Sequence, residues 1–271
     1  MTRSESAAPD IRLVAVDMDG TLLDENGVVP ADLWPLLARM TERGIVFAPA
    51  SGRQYATLRR EFGAHGDDMV FIAENGTFVV QHDAELSSDV LAPAAVADVI
   101  ARVRAMTHDV VAVVCGKRSA YIERIGDAFR AEVDRYYARL TVVDDLADVD
   151  DDVLKMAVFT FEDAEVTTAP ALGEIADALQ VVVSGHHWVD VMNPGVNKGV
   201  ALRRLQAVLG VTPAQTVAFG DYLNDLEMMD AAEHSYAMAN AHEDVAARAR
   251  FRAPSNRDHG VVRVLEGLLG V

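Results

Sequence analysis

Two carboxylates two positions apart, Asp17 and Asp19, follow a largely apolar run from Ile11 to Val16 and precede Gly20 and Thr21. The run reads as a buried strand, so the pair emerges where that strand ends and the chain turns. Gly20 suits the turn because no Cβ restricts its backbone. Neighbouring carboxylates repel unless a cation or a shared proton lies between them. Ligands bind at the C-terminal edge of strands in open α/β sheets. The pair therefore points to metal-assisted chemistry on an anionic substrate.

Three further groups have the same placement, just past a strand end or at a helix start. They are Ser51 after Ile45–Ala50, Lys198 before a helical stretch from Gly199 to Leu209, and Asp221, Asn224 and Asp225 after Thr216–Phe219. On a parallel sheet such ends converge on one rim. Carboxylate, hydroxyl and ammonium groups meeting there suit phosphoryl transfer. One carboxylate can attack phosphorus, and a partner can protonate the leaving alkoxide and then deprotonate water. Mg2+ takes oxygen ligands, for which Asp17, the backbone carbonyl of Asp19 and Asp221 are candidates. The Ser51 hydroxyl and nearby backbone N–H groups, Gly52 included, can hold phosphate oxygens, and Lys198 can offset their charge. Arg53 either reaches substrate or pairs with an acidic neighbour. Singly, Ser51 reads as a helix N-cap and Lys198 as a surface lysine. A calcium-loop reading of Asp17–Gly20 fails because its glycine belongs at the sixth position and here stands at the fourth.

The first third alternates strand-like runs (Ile11–Val16, Ile45–Ala50, Met69–Ala73) with helix-like ones (Ala31–Glu42, stopped by Gly44, and Gln54–Phe62). That order predicts βαβ units and a parallel sheet; Asn75-Gly76 reads alternatively as a hairpin turn into Thr77–Val80. An α+β block follows, with helices over Ala94–Met106, Asp127–Tyr137 and Ala171–Leu179 and strands over Val110–Val114, Ser119–Glu123, Leu154–Phe161, Val181–Val183 and Trp188–Met192. The acidic stretch Asp144–Asp152 reads as a solvated loop. Alternation resumes from Lys198. The expected architecture is α/β: a discontinuous parallel-sheet core over residues 1–82 and 191–271, with an inserted α+β unit over 83–190. His186 and His187 read as a solvated turn, possible neighbours of a leaving group, with Arg118 and Tyr121 as weaker candidates. Met228 and Met229 read as core packing.

The 271 residues carry 24 Lys and Arg against 42 Asp and Glu, a formal net charge of −18. Such a surface repels nucleic acid and anionic lipid. The one cysteine, Cys115, lies in an apolar run and excludes an internal disulfide framework. No apolar stretch has the length of a membrane span, and the polar segment from Met1 to Asp10 lacks the apolar core of a signal peptide. A cytoplasmic protein, monomeric or a small homo-oligomer, is the expectation.

Asp17-Met18-Asp19-Gly20-Thr21, Ser51-Gly52-Arg53, Lys198 and Gly220-Asp221-Tyr222-Leu223-Asn224-Asp225 resemble the four ordered motifs of the haloacid dehalogenase superfamily. The large insertion, Glu74-Asn75-Gly76 and the segment from Asn193 to Gly199 resemble its Cof-type subfamily (type IIB cap). The resemblance spans Ile11 to the final helix. It implies a Rossmann-like three-layer core, Mg2+ dependence and hydrolysis of a small phosphorylated metabolite through an aspartyl phosphate. By position Asp17 resembles the nucleophile, Asp19 the general acid/base, Ser51 the phosphate-binding hydroxyl, Lys198 the third-motif lysine and Asp221 the metal-binding aspartate. Asn224 is expected on the phosphate or a metal water, and Asp225 on the metal shell or Lys198. Alternatives are a sugar phosphomutase of the same superfamily and, more remotely, an Asp-x-Asp glycosyltransferase or a non-catalytic binding protein.

Overall fold

The computed structural model describes residues 9–175 and 178–270. The polar segment 1–8 and residues 176–177 of the expected helix Ala171–Leu179 lie outside the described residues.

β1 (Leu13–Val16) is buried on both faces, as a central strand of a parallel sheet must be. Val14 and Val16 pack into one hydrophobic cluster, Leu13 and Ala15 into another. Then come α1 (Leu33–Glu42), β2 (Val46–Pro49), α2 (Tyr55–Phe62), β3 (Val70–Ala73), β4 (Phe78–Gln81) and β5 (Ala84–Ser88). The next block holds α3 (Pro93–Ala105), β6 (Val110–Gly116), β7 (Ala120–Ile122), α4 (Asp127–Tyr136), β8 (Leu140–Val142), β9 (Val153–Thr160), α5 (Thr168–Leu172), β10 (Gln180–Gly185) and β11 (Trp188–Met192). The chain closes with α6 (Lys198–Leu209), β12 (Thr216–Gly220), α7 (Leu226–Ala231), β13 (His234–Met238), α8 (Glu243–Arg248), β14 (Phe251–Ala253) and α9 (Gly260–Leu269).

The core sheet runs β14-β13-β12-β1-β2, all parallel, and a bridge between Ala50 and Ile72 sets β3 beside β2. Residues of α1, α2 and α9 cover one face, and residues of α6, α7 and α8 the other. The result is a three-layer Rossmann-like core. Asn197 caps α6, its side chain accepting from Val200 N at 2.8 Å, so Lys198 occupies the first helical turn. Trp34 of α1 stacks on His65, centroids 4.5 Å apart.

The inserted cap is a second sheet, ordered β10-β11-β9-β6-β7-β8, antiparallel except between β7 and β8. Side chains on β9 and β11 alternate with period two. Met156, Val158, Val189 and Val191 pack with α3 and α5, while Ala157, Phe159 and Trp188 pack with Val133 of α4. Lys155 and Asp190 fall on the latter face. Cys115 is buried in the same cluster, as its apolar run implied.

Several elements differ from expectation. β3 and β4 pair antiparallel, so Asn75-Gly76 is a hairpin turn. It is tight: Glu74, Asn75 and Gly76 have φ of 50°, 56° and 95°. Gly76 is required there, because a Cβ would overlap the Asn197 carbonyl. The expected boundary at 83 precedes β5, which pairs with β4, and the one at 190 falls inside β11. The acidic loop carries a helical turn, Leu146–Asp148, and buries Leu146. Among the described residues no helix is long and apolar enough to cross a membrane.

Candidate active site

β1, β2 and β12 end side by side, and their C-terminal ends carry Asp17, Ser51 and Asp221 to one rim. Lys198 arrives from α6. Its ammonium is wholly buried, 2.6 Å from Asp17 Oδ1 and 2.7 Å from Asp225 Oδ1. The other Asp225 oxygen accepts from the backbone N–H groups of Asp221 (3.0 Å) and Tyr222 (3.2 Å), so this carboxylate is committed on both sides. Thr21 Oγ1 donates to Asp221 Oδ1 at 2.9 Å. Gly20, at φ +77°, permits that approach, since a Cβ would overlap the Asp221 carboxylate.

Asp17, Asp221 and Asp225 each offer an oxygen within 4.8 Å of the others. One buried ammonium faces three carboxylates. Burial, then the charge of Asp225, raises Asp17 to about 7. Burial, then the charge of Asp17, raises Asp221 to about 9. Lys198 keeps its proton more firmly than a free lysine: burial opposes the charge, but Asp17 and Asp225 outweigh it. An oxygen-only, under-neutralised cluster fits a hard divalent cation such as Mg2+.

Asp19 is expected as a metal ligand only through its backbone carbonyl, and its side chain points elsewhere. It forms a two-pronged pair with Arg53, 2.7 and 2.5 Å, and its side chain is half exposed. Arg53 also pairs with Glu61 and lies over the Tyr136 ring of the cap, 5.4 Å from its centroid. Arg53 thus has acidic neighbours on two sides and also lines the cavity beside Asp19. Ser51 is buried, and its Oγ accepts from Arg53 N at 3.1 Å. Asn224 Nδ2 donates to Asn75 Oδ1 at 3.0 Å.

A cavity of about 260 Å3 lies between this rim and the cap. Asp17, Asp19, Ser51, Gly52, Arg53 and Asn224 line its floor. Its roof is aromatic: Tyr136, Phe159, His187 and Trp188 line it, with Trp188 5.2 Å from Tyr136 and 4.9 Å from Phe159 between centroids. The His186-His187 turn thus borders the cavity. Arg118 and Tyr121 do not line it; both contact Asp151. Met228 and Met229 are buried in the core.

Sequence reasoning missed Lys155, Asp190 and Tyr136. Lys155 and Asp190 are fully buried on the cavity side of β9 and β11, 3.0 Å apart. A signal existed: each is a lone charge in an otherwise apolar strand, in phase with Phe159 and Trp188.

The model of the family described as haloacid dehalogenase-like hydrolase matches residues 14–265. The chain belongs to this family. It is 35% identical over 263 residues to the 5-amino-6-(5-phospho-D-ribitylamino)uracil phosphatase YbjI of Escherichia coli K12, covering 96% of each chain. Its fold matches SMU.1108c of Streptococcus mutans UA159 with a TM-score of 0.90 at 27% identity, over 96% of this chain and 100% of that one. It also shares the fold of the subclass IIB sugar phosphatase BT4131, with a TM-score of 0.82 at 19% identity over 95% and 99%. The Cof-type architecture read from the motifs is thereby borne out.

Proposed function

We propose that this phosphatase of the haloacid dehalogenase superfamily is Mg2+-dependent and hydrolyses a small phosphorylated metabolite through an aspartyl phosphate on Asp17. The observation that carries the reading is Lys198, buried against Asp17 and Asp225 beside the carboxylate cluster. Lys198 holds Oδ1 of Asp17, leaving the other oxygen to attack phosphorus. The P–O bond to the leaving group breaks as Asp19, turned out of its pair with Arg53 and carrying a proton, gives that proton to the leaving oxygen. Asp19 then takes a proton from water, whose oxygen attacks the same phosphorus, releasing phosphate and restoring Asp17. Ser51 and the N–H groups of its loop bind the phosphoryl oxygens, with Asn224 beside them. Asp17, Asp221 and the Asp19 carbonyl, with Asp225 behind them, would hold Mg2+, which would supply the positive charge that this cluster lacks.

The aromatic roof supports a leaving group that carries a flat ring, and the activity named for the E. coli relative supplies a candidate substrate of that kind, a phosphorylated ribitylamino-uracil whose leaving group is the ribitylamino-uracil. The cap, which we place over residues 91–192, selects it. Phosphate release from a panel of monoesters, with and without Mg2+, tests the proposal. Asp17→Asn should lower kcat roughly 10³-fold or more; wild-type rates in that variant would sink the nucleophile assignment. Isomerised sugar phosphate without free phosphate would favour a mutase.

A further inference from the structure

Lys155 belongs to the cap, yet its ammonium does not stop at the cap. It lies 2.6 Å from the backbone carbonyl of Gly52, 3.1 Å from Glu74 Oε2 and 3.0 Å from Asp190 Oδ1. Gly52 and Glu74 are core residues, so a cap strand reaches the Ser51-Gly52-Arg53 loop through a buried charge. All three charged groups are almost wholly inaccessible. Burial works against the Lys155 charge, but Asp190 and Glu74 more than offset it and hold the proton on.

The geometry of the peptide decides what this contact does. In a trans peptide the carbonyl and the following N–H point in opposite directions. An ammonium that fixes the Gly52 carbonyl on one side therefore fixes Arg53 N–H on the other. That N–H donates to Ser51 Oγ. A hydroxyl whose oxygen already accepts is left with its own hydrogen to donate. The loop is also tied to the 74–76 turn, through Glu74 N to Arg53 O (3.1 Å) and Asn75 N to Ser51 O (2.9 Å). Asp190 strengthens the same junction by accepting from Asn75 Nδ2, while Asn75 Oδ1 accepts from Asn224.

We infer that Lys155 is a positioning residue: by holding the Gly52 carbonyl it orients the Gly52–Arg53 peptide and the Ser51 hydroxyl for a phosphate group, and it does so only while the cap strand β9 is seated on the core. The inference rests on the reading of Ser51-Gly52-Arg53 as the phosphate loop. It makes the loop's affinity for phosphate depend on a cap residue behind it.

The test is binding of inorganic phosphate, measured by calorimetry with Mg2+ present, alongside amide exchange at Gly52 and Arg53. The cluster holds one cation and two carboxylates, so Glu74→Gln/Lys155→Met keeps its net charge at −1 by removing one charge of each sign. The double variant should bind phosphate at least about tenfold more weakly than the wild type, whose cluster has the same net charge, with faster exchange at Arg53. Affinity equal to that of the wild type in the folded double variant overturns the inference. Should the double variant not fold, Lys155→Arg decides, because it keeps the charge but presents a wider planar head. Its binding should fall several-fold, and unchanged binding again overturns the inference. Wild-type protein that binds phosphate yet releases none from any monoester would overturn the phosphatase proposal and leave this one standing. Wild-type protein that releases phosphate from a monoester yet does not bind inorganic phosphate would overturn this inference and leave the phosphatase proposal standing.

Discussion

Asp17 sits between charges of opposite sign, with Lys198 at 2.6 Å and the carboxylates of Asp221 and Asp225 close by. Removing the only buried cation of this set is costly because two carboxylates lose their partner. Lys198→Met should destabilise the fold by roughly 3–5 kcal/mol, as measured by denaturant unfolding, and abolish turnover. The pH dependence has a definite sign. Asp17 and Asp221 hold protons in the folded, metal-free protein well above the ordinary carboxylate range. The folded state therefore binds more protons than the unfolded chain, and this contribution to stability is lost as pH rises from about 4 through the raised values near 7 and 9. In EDTA the thermal midpoint should fall from about pH 5 to about pH 8 more steeply in wild type than in Asp221→Asn. On the proposal that Mg2+ binds here, it would take the place of those protons, and its stabilising effect should grow over the same window. A midpoint in EDTA whose pH slope is the same in Asp221→Asn would refute the assignment.

At the scale of elements, the turn after β1 and the roof of the cavity carry the sharpest expectations. Gly20 has a left-handed backbone and no room for a side chain beside Asp221. Gly20→Ala should cost about 1–2 kcal/mol from backbone strain alone and weaken Mg2+ binding, seen as a raised metal requirement for turnover. Trp188→Ala removes a wall of the cavity without touching the acidic rim. It should lower kcat/KM for a ring-bearing phosphate by roughly tenfold while changing that for a small aliphatic phosphate little; an equal loss on both would show that the ring is not read there. The elements themselves differed in how visible they were. The motif-bearing strands were legible because apolar runs end abruptly in carboxylates, hydroxyl or glycine. β5, β8 and β14 were not: β5 is mostly exposed and polar, and the other two have three residues each. Lys155 and Asp190 were hidden for another reason. A lone charge in an apolar strand signals a buried partner without naming it, and here the partners are Gly52 and Asn75, more than a hundred positions away.

At the scale of the molecule, the chain leaves the core once and returns once, and the two crossings are joined. Asn193 Nδ2 donates to Asp89 Oδ1 at 2.6 Å and to Val90 O at 3.0 Å. Asn193→Ala should loosen this strap at a cost of about 1 kcal/mol and speed amide exchange around residues 89–91 and 192–194, with the β1 strand unaffected. Unchanged exchange at both crossings would show that this strap does not hold them together.

The chain has two tryptophans, and the fold puts them to different uses. Trp34 is packed on α1 against His65, away from the acidic rim, while Trp188 stands in the wall of the cavity. The molecule thus carries its own optical probe of occupancy. In Trp34→Phe the whole tryptophan emission comes from the cavity wall, so arrival of a ring-bearing ligand or separation of cap from core becomes a change in intensity or wavelength that stopped-flow fluorescence can follow without any attached dye.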